Sequence, residues 1–563
     1  MILEELKSQI ASALKISRAE FSYPPRVEMG DLSLACFDLA KGKKMSPDQV
    51  AKNLAEQARS DSQLAPLFNK IEAVGPYLNF FLSTGHLSAR VLSEVKRRGR
   101  AYGSNHVGQG KKVMIEYSNG NTHKEYHVGH LRNITYGDSI YRLLAVSGYE
   151  VVPVSYVNDF GIHVAKAIWN WRRGQDYQNQ QGPKGYILGQ CYAEASQALA
   201  TDPASLEEVG RIMKQIESRQ GDNYLTWQKT RRWSINYFQE IYKELGVRFR
   251  KTFYESEVIE EGLKLVEEFL ERGIFKRSEG AIIADLQEYD LGVLPIIRSD
   301  GTALYAVADL ALASEKFRRF SLDESIYVVD IRQSLYFKQL FKILELAGFN
   351  QALLHLPYNF VTLPEGMMAS RTGNVITYQI LYDRIKKQLL AETTKRHPDW
   401  SASRLAKVVK ALTVATIKFE MLKVSPDKTI TFNINEAVRF DGYTACYLEY
   451  GYARLMSIVR KHGLGLFGSY NPNYLTEVKE KELLLKIAKY PRAVWLARQG
   501  YNPSELTKYL FELVQVANDY YHEVNILKAE PSVRVARLAL VKATIRVLEN
   551  GFSLLGIVAL KEM

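Results

Sequence analysis

The chain has 563 residues, too many for one hydrophobic core, and its length suggests three or four domains. Its 46% hydrophobic and 24% charged content is that of a globular protein, with no apolar run of about eighteen residues to suggest a membrane span. Lysine and arginine (74) outnumber the acids (62), for a net charge of +12, which favours a polyanionic partner, and the scattered Cys36, Cys191 and Cys446 suggest neither a disulfide framework nor a cysteine zinc site, so a reducing cytoplasm is expected.

The first ten residues carry Glu4 and Glu5 among helically spaced apolar positions, so no secretory signal peptide is expected. A helix from Ile2, a turn at Tyr23-Pro24-Pro25, a helix from Ser46 and a strand over Leu78–Leu82 make a small α+β unit. The basic run Lys96-Arg97-Arg98-Gly99-Arg100 reads as a linker. From Lys112 the pattern becomes strand, crossover, strand: Val113–Tyr117, a helix from Gly129 to Ser147 ended by Gly148, then Val151–Val157. Such a βαβ unit places its crevice at the carboxyl ends of the strands. Residues from about Trp169 to Leu245 read as a polar helical insertion, and Ala281–Ala284 and Ile326–Val329 supply more sheet. Beyond Pro398 the apolar residues keep helical spacing to the end, with Arg454, Arg460, Lys461, Arg534 and Arg537 on polar faces.

Within this frame, His127-Val128-Gly129-His130 falls where a strand gives way to a helix. A helix N-terminus offers unpaired N–H groups to phosphate, and imidazoles three residues apart share one helical face. Gly129 removes a side chain where a base must approach the backbone. The pair is not the HExxH pattern and no third ligand is evident, so no metal site is expected.

The segment from Glu116 to Asn133, with Tyr117-Ser118-Asn119-Gly120-Asn121 and the two histidines, resembles the first signature of class I arginyl-tRNA synthetases. Tyr156-Val157-Asn158-Asp159-Phe160-Gly161, the run Arg298 to Asp309, and Arg332-Gln333 with Phe337 are similar to further segments of that family. Tyr447–Ile458 resembles the opening of its anticodon-binding helices, and Gly30-Asp31-Leu32-Ser33 and Gly75–Phe80 resemble its N-terminal domain. The resemblance covers nearly the whole chain. It implies a Rossmann-like α/β nucleotide-binding catalytic domain over 110–395 with the insertion at about 169–245, an N-terminal α+β domain over 1–95 at the tRNA elbow, and an all-α anticodon domain over 400–563.

The implied reaction is ATP-dependent activation of arginine followed by transfer to tRNA(Arg), with magnesium accompanying ATP and the protein acting as a monomer. By resemblance, His127 and His130 contact the phosphates or ribose, Gly129 admits the adenine, and Arg371 compensates the leaving pyrophosphate. Glu116, Tyr305 and Asp309 surround the guanidinium, a planar donor set suited to carboxylates, while Asn121 and Gln333 hold the α-amino and α-carboxylate groups. Tyr77, Tyr447, Tyr450 and Arg454 are the candidate tRNA contacts. The chain departs from the family pattern in its second signature, with Met367 for the leading lysine and Ala369 for the serine, and at His163 for glutamine and Tyr336 for histidine. Two other readings remain: another class I synthetase or nucleotidyltransferase, and a non-catalytic RNA-binding relative. The Tyr305/Asp309 pair weighs against the first and the intact site residues against the second.

Overall fold

Four antiparallel strands, β1 (Phe21–Ser22), β2 (Leu32–Ala35), β3 (Phe68–Val74) and β4 (Tyr77–Leu82), form an N-terminal sheet in the order β1-β2-β4-β3. The computed structural model describes residues 2–17, 20–41, 44–202, 204–364, 376–462 and 470–563. The helix Pro47–Ser60 packs on this sheet, its start fixed by a reciprocal cap between Ser46 and Gln49. The basic run expected to be a linker is instead the last turn of a helix, Thr84–Arg98, where Glu94 pairs with Arg97 and Arg98. Three like charges end that helix without breaking it, because cations favour a helix C-terminus and Glu94 lies one turn back.

The second sheet is wholly parallel. Its strands are β5 (Lys112–Glu116), β6 (Glu150–Val157), β7 (Lys251–Tyr254), then, after β8 (Lys276–Ser278), β9 (Ala281–Asp285) and β10 (Val293–Ile297), come β11 (Glu324–Asp330) and β12 (Ala352–Tyr358). The spatial order is β12-β11-β5-β6-β7, so the chain reverses its direction of travel across the sheet at β5. Ala281–Ala284, read as more sheet, does form a strand, but within a separate antiparallel sheet of β8, β9 and β10. An apolar run states that a strand is buried and does not name its neighbours.

Between β6 and β7 the described residues form the helices Ile162–Arg173, Gln175–Asn179, Lys184–Thr201, Ser205–Glu217 and Gly221–Glu244. A short parallel pair, β13 (Val361–Thr362) with β14 (Ile430–Thr431), ties the end of the nucleotide-binding fold to the helical region that follows. That region is built of long helices, among them Ala402–Leu422, Ala445–His462, Val478–Gln499, Ser504–Glu523 and Pro531–Leu554. One continuous apolar core runs from Leu3 through Ile115 and Leu131 to Leu548 and Ile557.

The helix that follows β5, Val128–Val146, crosses these regions, and its polar side chains are nearly all spent on neighbours. Arg132 donates to the carbonyls of Met421, Val424 and Ser425, Tyr136 to that of Tyr501, and Ser139 to that of Leu554. Asp138 is buried between Arg142 (2.9 Å) and Lys418 (3.5 Å). A low hydrophobic asymmetry in the sequence of this helix follows from that arrangement, because it is buried on most of its circumference.

Candidate active site

Because the strand order reverses between β11 and β5, the loops leaving the carboxyl ends of these strands diverge and leave a crevice. A cavity of about 890 Å³ opens there. Glu116, Asn121, His127, Gly129, His130, Tyr305, Asp309 and Gln333, the described residues expected to bind ATP and arginine, all line it. Arg371, with Met367 and Ala369, lies outside the described residues.

On one wall, His127 caps the helix Val128–Val146. Its Nδ1 accepts from the Gly129 N–H at 3.1 Å, and its own backbone N–H donates to His130 Nδ1 at 3.1 Å. With both Nδ1 atoms accepting, each neutral ring carries its proton on Nε2 and is left with one N–H donor. Burial, with the Lys124 ammonium beside it, lowers His127 to about 4 and His130 well below its ordinary value. This wall therefore offers neutral donors at a helix N-terminus rather than imidazolium charges. Gly129 has a second reason to be glycine besides the expected approach of adenine: a Cβ there would lie 2.9 Å from the His127 ring. The following Asn133 accepts from Ser118 N–H and donates to the Val328 carbonyl (2.7 Å) and the Tyr358 hydroxyl (3.1 Å), pinning the helix to the strand ends.

The loop between β5 and this helix is held from below by the helical insertion. Ser118 and His123 take positive φ (60° and 61°), a costly conformation for residues with a Cβ that persists only when neighbours fix it. His123 is fully buried between Thr122 (3.0 Å) and Thr230 (2.8 Å), and desolvation lowers it to about 3, so this third histidine of the segment is structural. Ser118 meets the hydroxyls of Tyr126 (2.9 Å) and Tyr242 (3.0 Å). Asn121 bridges to Asn158 at the end of β6.

The opposite wall is made of charge. Asp309, on the helix Tyr305–Phe320, accepts from the Tyr336 hydroxyl, and burial raises it to about 6. Tyr305, one turn earlier, is 68% exposed and lines the cavity mouth. Glu116 is not free: Lys316, with none of its side chain exposed, places Nζ 2.6 Å from the Glu116 carboxylate and 4.1 Å from the Tyr327 ring centre. Glu116 thus has a cation of its own before any substrate enters.

Three groups escaped the sequence reading. Glu255 begins the helix after β7, is buried, and is raised to about 8 by desolvation and then by the Asp309 charge. An acid directly after a strand of the parallel sheet is the signal that could have found it. Lys124 lines the cavity beside the two histidines, and its position within the first signature was the available clue. Lys316 carried no signal, since only the fold brings it to Glu116. His163, at the position where glutamine was expected, is buried at the cavity edge with Nε2 unpartnered among the described residues.

The candidate RNA contacts lie elsewhere. Tyr77 is 43% exposed and meets the Phe37 ring edge-on at 5.8 Å. Tyr447 packs on Phe511 and accepts from Asn518, whereas Tyr450 lines a surface groove with Lys395, Arg396 and Arg439. Arg454 stacks over Tyr450 and Tyr521 and donates to Asn518.

Comparison with known proteins gives a consistent assignment along the chain. Residues 1–82 match the arginyl tRNA synthetase N terminal domain, 91–433 the class I (R) tRNA synthetase catalytic domain, and 448–563 the DALR anticodon binding domain. The arginine–tRNA ligase of Bdellovibrio bacteriovorus is 35% identical over 550 residues, covering 96% of this chain and 93% of that one. The Clostridium perfringens arginine–tRNA ligase is 32% identical over 570 residues, covering 100% and 99%. Among solved structures, Thermus thermophilus arginyl-tRNA synthetase is similar over the full length of both chains, with a TM-score of 0.80 and 25% identity. The chain therefore belongs to the class I arginyl-tRNA synthetases and is a ligase that uses ATP to join arginine to tRNA.

Proposed function

We propose that the two walls of the cavity divide the substrates, ATP lying along the helix N-terminus with His127, Gly129 and His130, and arginine pointing its guanidinium toward Asp309. The observation that carries this reading is the juxtaposition in one cavity of the neutral imidazoles His127 and His130 with the carboxylates Glu116 and Asp309, the first of which is paired with the buried Lys316. Two carboxylates, Glu116 and Asp309, share one ammonium, Lys316, while burial keeps the neighbouring Glu255 protonated at neutral pH, so an incoming guanidinium would bring the missing positive charge.

In the first step an oxygen of the arginine carboxylate attacks the α-phosphorus of ATP. A new P–O bond forms as the bond to the bridging oxygen of the β-phosphate breaks, and pyrophosphate leaves. No proton moves, so no base is required; the work is positioning and stabilising charge on phosphate oxygens. Neutral Nε2–H donors from His127 and His130 suit that task, with the Lys124 ammonium beside them. In the second step a hydroxyl of the terminal tRNA ribose attacks the carbonyl carbon, the bond from that carbon to the phosphate oxygen breaks, and AMP departs with its phosphate taking up the hydroxyl proton. Asn121 and Gln333 are assigned to the α-amino and α-carboxylate groups, Tyr305 to the guanidinium rim, and Arg371 to the leaving pyrophosphate.

Among the described residues no three His, Cys, Asp or Glu side chains gather to hold a metal ion. The described residues thus form no protein cage for magnesium, which would arrive with ATP and keep phosphate and water ligands. We assign Tyr77, Tyr447, Tyr450 and Arg454 to tRNA(Arg), by stacking on unstacked bases and by contact with phosphates. No described helix is long and apolar enough to cross a membrane; a cytoplasmic monomer is the proposed state. Arginine-dependent exchange of pyrophosphate into ATP, with and without tRNA, tests the reading. Exchange is expected with arginine and tRNA together, and its absence under those conditions would overturn the assignment of the cavity.

A further inference from the structure

Tyr336 stands on the helix Ser334–Leu346, one turn beyond Gln333, and its hydroxyl donates to Oδ2 of Asp309. Its ring is held edge-on by Phe337 at 5.4 Å, and Phe337 is itself stacked on His355 at 4.6 Å. This tyrosine is one of the positions at which the chain departs from the pattern of the family it resembles, where histidine is expected.

We propose that Tyr336 is a positioning residue for arginine, its hydroxyl fixing one oxygen of Asp309 so that the carboxylate plane is set and the other oxygen is left to the guanidinium. The inference rests on the reading that Asp309 receives the guanidinium. An aspartate carboxylate turns on a broad, roughly two-fold torsion, so its plane must be set from outside. Guanidinium is planar and donates through a rigid fork, which makes the orientation of that plane part of the affinity.

The hydroxyl also keeps Asp309 ionised. The groups facing it are Glu116 at the end of β5, Lys316 on its own helix, Tyr156 on β6, Glu255 after β7, Tyr327 on β11 and Tyr336 itself. Burial and the Glu116 charge favour the protonated acid; the Tyr336 hydrogen bond and Lys316 oppose them. Removing the hydroxyl therefore turns the carboxylate loose and raises the pH at which it loses its charge.

The test is pyrophosphate exchange by the full chain with tRNA present, read as separate arginine and ATP parameters for Tyr336→Phe, Tyr336→His and Asp309→Asn. Tyr336→Phe is expected to raise the arginine KM about tenfold, the scale for one hydrogen bond to a charged group, with kcat and the ATP KM changed less than about twofold. The acid limb of its arginine kcat/KM should move to higher pH, and Tyr336→His, which keeps a donor, should recover most of the affinity. A side chain serving only as packing would not move that limb; should the phenylalanine variant fail to fold, Tyr336→Leu carries the same expectation. Unchanged arginine KM and an unchanged acid limb in Tyr336→Phe, with Asp309→Asn impaired, would overturn the role of Tyr336. Unchanged arginine KM in Asp309→Asn would instead overturn the placement of the guanidinium.

Discussion

The two walls of the cavity solve opposite electrostatic problems. On the proposed reading the helix N-terminus receives a polyanion, and it meets it with neutral imidazoles whose Nδ1 atoms are consumed in holding the turn. On the same reading the facing wall receives a cation, and it meets it with Glu116 and Asp309 held out of water against Lys316. The first wall is indifferent to pH over the physiological range, because burial lowers His127 to about 4 and His130 well below its ordinary value. The second is not, because burial has lifted Asp309 to about 6 and Glu255 to about 8. Donors built from geometry keep their state; donors and acceptors built from charge carry a dependence on protons.

The contrast can be broken most severely at Lys316. Lys316→Met removes the partner of a carboxylate with 4% of its side chain exposed, and the loss is expected to destabilise the fold by about 3–5 kcal/mol. Denaturant melts measure it, and the double variant with Glu116→Gln should recover much of the loss. A single variant as stable as the parent would mean that the pair does not organise the carboxylate wall.

A smaller effect is expected from Asp309→Asn, which keeps shape and removes charge. Arginine binding should weaken by about 2–4 kcal/mol, read as the arginine KM in exchange, while the ATP KM stays put. Smaller again, His127→Ala and His130→Ala should each slow exchange by about a hundredfold with little change in arginine affinity, as expected when one preorganised donor to developing charge is lost. A rate unchanged in both variants would detach the histidine wall from ATP.

Much of this was legible in the sequence because it is local. The strand Lys112–Glu116 announces itself by its apolar run, and the helix Val128–Val146 by the glycine-bearing turn with His127 and His130 at its start. The cap itself is local too, since His127 and His130 meet within one turn. What stayed hidden depends on tertiary encounter. Lys316 meets Glu116 across two hundred positions of sequence, and no pattern around either residue reports it. Tyr336 was visible only as a departure, and its bond to Asp309 gives the departure a physical content. Lys96–Arg98 misled because a run of like charge resembles solvated linker, whereas Glu94 one turn earlier allows a helix. Ala281–Ala284 was rightly read as sheet, but its apolar run could not tell that its partners are the antiparallel strands β8 and β10.

The most direct test of the contrast is the pH dependence of the arginine KM in tRNA-supported exchange at saturating ATP. If arginine binds the ionised Asp309, as proposed, protons compete as the pH falls through about 6, and the KM is expected to rise about tenfold between roughly pH 7 and pH 5. In Asp309→Asn the KM should be high throughout and the slope reduced. A KM that stays level across that range in the parent protein would contradict a guanidinium site built on a buried, ionisable carboxylate.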